Sequence, residues 1–148
     1  MAAGKTFRIV VGSDGSAASL AALDWALEEA RLRSGRVHLV SAWHYPVIGD
    51  AAGRGPDRDA FGDHARQAHD EALRHSADAG VDVTGEVTEG HPADVLLRAA
   101  HGADLLVVGS RGHGGFTGML LGSVSNHAVH HAPCPVLVVR SGADSDQG

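Results

Sequence analysis

The sequence predicts an α/β fold with a five-stranded parallel sheet in the doubly wound order 3-2-1-4-5 and helices on both faces. Short apolar runs alternate with longer amphipathic stretches, which gives the order β-α-β-α-β-α-β-loop-α-β. Strands separated by helices need right-handed crossovers, and these place helices on both faces of a parallel sheet. The first and fourth runs are largely apolar, as central strands are, whereas the third alternates as an edge strand does.

Local sequence signals predict each strand, helix and loop. The first run is short and β-branched and stops at Gly12, so it predicts a strand over 7–11. Ser16 is a suitable N-cap for the helix that follows, which ends before Ser34. Glycines and prolines between residues 43 and 58 predict a loop. The same signals predict strands over 37–42, 81–87, 105–108 and 135–139, and helices over 59–79, from 90–92 onward and over 122–131.

Composition restricts the class of protein. The chain has 148 residues, of which 43% are hydrophobic and 20% charged, so it can form one core and stay in solution. A net charge of −6 argues against nucleic acid as a partner, and no apolar run is long enough to span a membrane. Cys134, the one cysteine, cannot form an intramolecular disulfide. We expect a cytoplasmic single domain over 1–148, with an ordered core at about 6–140 and a disordered tail at 141–148.

Ligands of open α/β sheets bind beyond the carboxyl ends of the strands where the strand order reverses, here between the first and fourth strands. The first strand is followed by the segment 12–16, which reads Gly-Ser-Asp-Gly-Ser. Glycine lets a ligand approach the backbone, and Asp14 can accept hydrogen bonds from amine or hydroxyl groups. The same polar residues also suit a helix cap, and both interpretations stay open.

The fourth strand is followed by five glycines within residues 109–118. Such a loop can turn several N–H groups inward and form a concavity for an anion. Gly122 and Ser123 then begin a helix, whose first N–H groups suit a phosphate. Ser123 and Ser125 add hydroxyl donors, and Arg111 and His113 can supply charge. The alternative is a flexible surface loop followed by a serine N-cap.

Four residues match the pattern G-x2-G-x9-G-[ST]: Gly109, Gly112, Gly122 and Ser123. Together with four further segments, this pattern resembles the universal stress protein family, in its ATP-binding subgroup. The segments are 12–16 after the first strand, the turn at 90–93, the strand at 105–108 and residues 132–136 before and at the start of the last strand. The agreement covers nearly the whole chain. The resemblance implies a regulatory module of the stress response that binds ATP or another adenine nucleotide, with or without Mg²⁺.

The resemblance also implies where the nucleotide lies. The triphosphate would rest on Gly109, Gly112 and the backbone of 113–115, with the start of the last helix closing over it. The adenosine end would contact the segment after the first strand and the backbone near Ala42. Roles for Arg111 and His113 rest on chemistry alone. The candidate nucleotide-binding residues are Gly12, Ser13, Asp14, Ala42, Gly109, Ser110, Arg111, Gly112, His113, Gly114, Gly115, Gly122, Ser123, Val124 and Ser125.

The fifth strand is an edge in the predicted order and yet is fully apolar. Exposed hydrophobic edges aggregate unless something covers them, so we expect a second copy to pair there in a two-fold homodimer. The resemblance implies the same interface. The alternative is that helices shield the strand's faces and only its backbone meets solvent. The candidate interface residues are Val136, Leu137, Val138 and Val139.

Three functions are compatible with these observations: a non-catalytic nucleotide-dependent regulator, a slow ATPase, and a nucleotide-independent dimeric interaction module. The sequence has no P-loop pattern, and no catalytic residue is assigned. A regulatory protein partner is expected, but the sequence does not identify it.

Two further features each have two interpretations. The histidines at 127, 130 and 131 could ligate a metal at helical spacing, although a solvated helix face is favoured. Trp43 and Tyr45 could cover the adenine or anchor the loop that they begin.

Overall fold

The computed structural model describes residues 6–44, 58–111 and 122–140. Its strands are β1 (Arg8–Gly12), β2 (Arg36–Trp43), β3 (Asp82–Glu89), β4 (Leu105–Gly109) and β5 (Val136–Val139). Its helices are α1 (Ala17–Arg33), α2 (Arg58–His75), α3 (Pro92–Ala99) and α4 (Ser123–His131). All strand pairs are parallel and the order is β3-β2-β1-β4-β5, which confirms the predicted fold class.

Alternate residues of the central strand point into two separate cores. Ile9 and Val11 belong to the core under α1 and α2, whereas Val10 belongs to the core under α3 and α4. All three side chains are fully buried. A strand covered on both faces has no solvent-facing position, which explains why β1 is apolar after Arg8 at its start.

Two glycines at the carboxyl ends of the central strands allow helices to pack closely. A Cβ on Gly12 would lie 2.7 Å from Cδ1 of Leu96 on α3. A Cβ on Gly109 would lie 2.7 Å from the carbonyl carbon of Ala18 on α1. Both glycines are therefore needed by helix packing, in addition to any role at a ligand.

The predicted helix over 59–79 is too long, because α2 ends at His75. The hydroxyl of Ser76 donates to the carbonyl of Leu73 at 2.8 Å, and such local bonds compete with a continuing helix. Gly80 then has φ of +72°, which turns the chain toward β3. Most of the predicted loop (residues 45–57) and the predicted tail at 141–148 lie outside the described residues. None of the helices in the described ranges combines the length and apolar character that crossing a membrane needs.

Candidate functional site

The segment after β1 is fixed to β2 and begins α1. The amide of Ser13 donates to the carbonyl of Val40 at 2.9 Å. A carboxylate oxygen of Asp14 accepts from the amide of Ser16 at 2.9 Å, and the Ser16 hydroxyl accepts from the amide of Ser19 as the N-cap of α1. The capping role is therefore present in the structure. It leaves Asp14 exposed to solvent at the carboxyl edge of the sheet.

Ser110 joins the end of β4 to two other elements. Its amide donates to the carbonyl of Val139 on β5 at 2.8 Å. Its carbonyl accepts from the amide of Gly122 at 2.6 Å and from the hydroxyl of Ser125 at 3.0 Å. These bonds hold the first turn of α4 against the carboxyl end of β4, beside the switch point of the sheet.

The first turn of α4 has features that suit an anion. Gly122 is the N-cap residue, and no side chain among the described residues caps this helix. The first turn also carries no acidic residue. The first N–H groups of a helix have no partner within it, so the amides that begin with Ser123 can donate to a ligand, and they carry the positive end of the helix dipole.

The side chain of Ser110 supports the same conclusion. It lies on the α4 face of the sheet, as Leu106 and Val108 do, and is 2% exposed. Within the described part of the chain, its hydroxyl is a buried polar atom without a hydrogen-bond partner. An unpaired buried hydroxyl costs about 1–3 kcal/mol, so a bound oxygen at this helix start would fit the residues present.

The ends of β2 and β3 lie on the other side of β1. The carbonyl of Trp43 accepts from the amide of Gly90 at 2.6 Å. The rings of His44 and His91 stack with their centres 4.8 Å apart. The Trp43 indole lies over Gly62, where a Cβ would be 3.0 Å from the ring, so Trp43 anchors α2. Tyr45 lies outside the described residues.

The predicted site residues fall into three groups: those at the carboxyl edge of the sheet, Arg111 just beyond it, and those outside the described residues. The structure brings the ends of β1, β2 and β4 and the start of α4 to the carboxyl edge of one sheet. Arg111 is half-buried beyond the end of β4. The candidates that lie outside the described residues are Gly112, His113, Gly114 and Gly115.

The histidines of α4 are exposed and lie close together, with the rings of His127 and His131 centred 4.6 Å apart. His130 makes a 2.8 Å hydrogen bond to the carbonyl of Asn126. In the described ranges, no three histidine, cysteine or acidic side chains are grouped to hold a metal ion. Burial raises the pKa of the Cys134 thiol, which disfavours its nucleophilic thiolate form.

Sequence reasoning missed a buried polar pair beneath α2. Nδ1 of His69 lies 2.8 Å from Oγ of Ser41, and both residues are buried. Burial lowers the pKa of His69, which keeps the imidazole neutral. The partners are 28 residues apart, so neither helical nor strand periodicity could have indicated them.

The model of the universal stress protein family matches residues 5–140. The chain belongs to the universal stress protein family. A universal stress protein of Mycolicibacterium smegmatis is 40% identical over 134 residues, which cover 89% of this chain and 45% of that protein. The chain thus spans about half the length of the curated relatives that it matches.

Two solved universal stress proteins share the fold. The protein from Lactobacillus plantarum has a TM-score of 0.79 at 24% identity, covering 93% of this chain and 99% of its own. A second, solved in complex with cAMP, has a TM-score of 0.72 at 29% identity, covering 94% of this chain and 100% of its own.

Proposed function

We propose that this universal stress protein binds an adenine nucleotide across the carboxyl ends of β1 and β4 and acts as a regulator without substantial turnover. The observation that carries the proposal is the attachment of the start of α4 to Ser110, at the switch point of the sheet, where no side chain of the described residues caps the helix. The cAMP complex of the 29% identical relative supports an adenine nucleotide as the ligand class.

The phosphates would bind at the start of α4. The amides from Ser123 onward supply hydrogen-bond donors, and Gly122, the N-cap residue, adds no side chain of its own in front of them. The Ser110 hydroxyl is one more donor without a partner among the described residues. ATP is our choice of ligand because Gly109, Gly112, Gly122 and Ser123 complete the family pattern.

The adenosine would bind where β1 and β2 end. The bond from the Ser13 amide to the Val40 carbonyl holds these two strand ends together. Ala42 is half-buried near the end of β2, and the exposed carboxylate of Asp14 can accept a hydrogen bond from a ribose hydroxyl.

A regulator is favoured over an ATPase by the chemistry of the described residues. Hydrolysis needs a base or a metal to activate water near the terminal phosphate. Asp14 is the candidate base among the described residues, and it lies after β1, where the adenosine is proposed to bind. His113, another candidate base, lies outside the described residues. The nucleotide would therefore supply charge and contacts that change the protein's surface for a partner.

The regulator is proposed to act as a homodimer through β5. The side chains of Val136 and Val138 pack toward α4, and those of Leu137 and Val139 pack toward α1, so helices do shield the strand's two faces. The backbone edge of β5 stays unpaired among the described residues. A second copy pairing along this edge would satisfy it.

Calorimetric titration of nucleotide-stripped protein with ATP and Mg²⁺ tests the proposal, with the cell assayed for ADP afterwards. Binding at about one site per chain without ADP is the expected result. ADP formation by the wild type that a Gly122→Asp variant lacks would establish the ATPase instead. Absence of binding heat at two temperatures would leave the interaction module as the function.

A further inference from the structure

Helix α2 is attached to the sheet through a buried histidine that has no part in the proposed nucleotide contacts. The ring of His69 is 4% exposed and bonds through Nδ1 to the Ser41 hydroxyl of β2 at 2.8 Å. On its other side the ring lies against Gly85 of β3, where a Cβ would collide with Nε2. The imidazole thus occupies the space that a side chain on β3 would otherwise fill.

The attachment point lies at the end of the strand that the nucleotide is proposed to use. Ser41 stands between Val40, whose carbonyl holds the Ser13 amide, and Ala42, the candidate contact of the adenosine. One residue further, Trp43 packs on Gly62 of α2. The docking of α2 and the position of the end of β2 are therefore mechanically connected.

We propose that His69 makes the docking of α2 on β2 dependent on protons, so that acid loosens the adenosine end of the site. The proton-dependent docking of α2 is independent of the proposed nucleotide function, whereas the effect on the adenosine end of the site rests on that function. A proton on His69 would place a charge in a site from which water is excluded, with a serine hydroxyl as its only hydrogen-bond partner among the described residues.

The charged and titratable neighbours do not offset that cost. Asp70 on α2 and Glu86 on β3 favour the protonated ring, and His38 on β2 disfavours it. Burial is the largest effect, and the net result is a pKa of His69 below its ordinary value of about 6.5. The undocked helix binds the proton more readily, so docking is fully stable above about pH 6.5 and is weakened as the pH falls below it.

Helix α2 provides its own control. Nε2 of His75 lies 2.7 Å from a carboxylate oxygen of Asp24 on α1, and both side chains are largely exposed. Replacing His75 therefore removes a histidine contact of the same helix without removing the proposed proton response.

Amide hydrogen exchange of α2 at pH 7.5 and pH 5.5, corrected for intrinsic rates, measures the docking. In the nucleotide-free wild type the opening constant of α2 should rise by up to about tenfold at the lower pH. His69→Asn keeps an amide near the position of Nδ1 but cannot titrate, so its opening constant should not respond. His75→Asn should respond as the wild type does. His69→Gln replaces His69→Asn if the shorter side chain prevents folding.

An equal acid response in the wild type and in both His69 variants would overturn the inference, as would no response in the wild type. The same measurement with saturating ATP separates its two halves. Restored protection of α2 at pH 5.5 supports the coupling to the site, whereas unchanged protection despite bound ATP refutes that coupling. If calorimetry detects no ATP binding at either pH, the proposed function fails, while the exchange data without nucleotide still decide the docking.

Discussion

The amide of Gly122 donates to the carbonyl of Ser110 at 2.6 Å, which attaches the start of α4 to the end of β4. Gly122 has φ of −70° and ψ of 169°, an extended conformation that residues with side chains also adopt. The backbone at this position therefore does not require glycine. The absence of a side chain matters instead for what can approach the first turn of α4.

Gly122→Asp is expected to abolish ATP binding while the protein stays folded. Aspartate is a favoured N-cap, so α4 tolerates it, but its carboxylate occupies the amides and repels phosphate. Gly122→Asn is the matched control, with nearly the same shape and no charge, and should retain more affinity than the aspartate variant. Calorimetry with both variants measures this, and normal ATP binding by Gly122→Asp would show that the phosphates bind elsewhere.

Ser110→Ala should act in opposite directions on stability and on binding. Removing an unpaired buried hydroxyl should raise the free energy of unfolding of the nucleotide-free protein by roughly 1 kcal/mol. Losing a hydrogen bond to a charged phosphate should weaken ATP binding by about tenfold or more. Urea denaturation and calorimetry give the two quantities.

Ser125→Ala is the control for the Ser110 variant. Its hydroxyl donates to the carbonyl of Ser110 at 3.0 Å, so its loss should lower stability by about 1 kcal/mol. If Ser110→Ala also lowers stability, its hydroxyl has a structural partner and is not held for a ligand.

The strand order could be predicted because hydrophobic patterns report burial. The residues of β1 after Arg8 are buried on both faces, whereas those of β3 are half-buried or exposed, and this difference places the strands in the sheet. The glycine pattern after β4 likewise predicts the phosphate end of the candidate site, and that prediction still awaits its test. Contacts between distant segments could not be predicted this way, since the bond between Ser41 and His69 depends on where the crossovers place α2.

Gly12 and Gly109 illustrate a second limit of sequence reasoning. Glycine beside a predicted ligand site suggested a close approach of the ligand, yet in the structure helices make the close approach. Only the packed positions of α1 and α3 reveal this. The same glycines can serve helix packing and ligand binding together, because a residue without a side chain lets the helix pack closely and does not obstruct a ligand.

Gly109→Ala should destabilise the nucleotide-free protein by about 1–3 kcal/mol, and Gly12→Ala should destabilise it less. The new Cβ at 109 would press on the backbone of Ala18, which can move only with α1. The new Cβ at 12 would meet the methyl groups of Leu96, which can rotate away. Urea denaturation compares the two, and equal losses would contradict the packing argument.

The dimer prediction can be tested on the backbone of β5. The carbonyl of Pro135 accepts from the amide of Leu106 on β4, and that of Val139 accepts from the amide of Ser110, the residue after β4. Since successive backbone groups of a strand point to alternate sides, the N–H of Val138 points away from β4, toward the open edge. Among the described residues no strand pairs along that edge, so this N–H is the donor that a second copy would use.

Val138→Pro should give a folded monomer. Proline is tolerated on an edge strand where the N–H faces outward, and it removes the donor that antiparallel pairing of two β5 strands would use. Val138→Thr, with the same shape and an intact N–H, should remain a dimer. Sedimentation velocity measures the association, and circular dichroism checks the fold. If the proline variant remains a dimer, the interface lies elsewhere. If the wild type is a monomer, the helices shield the faces of β5 and its backbone edge meets solvent.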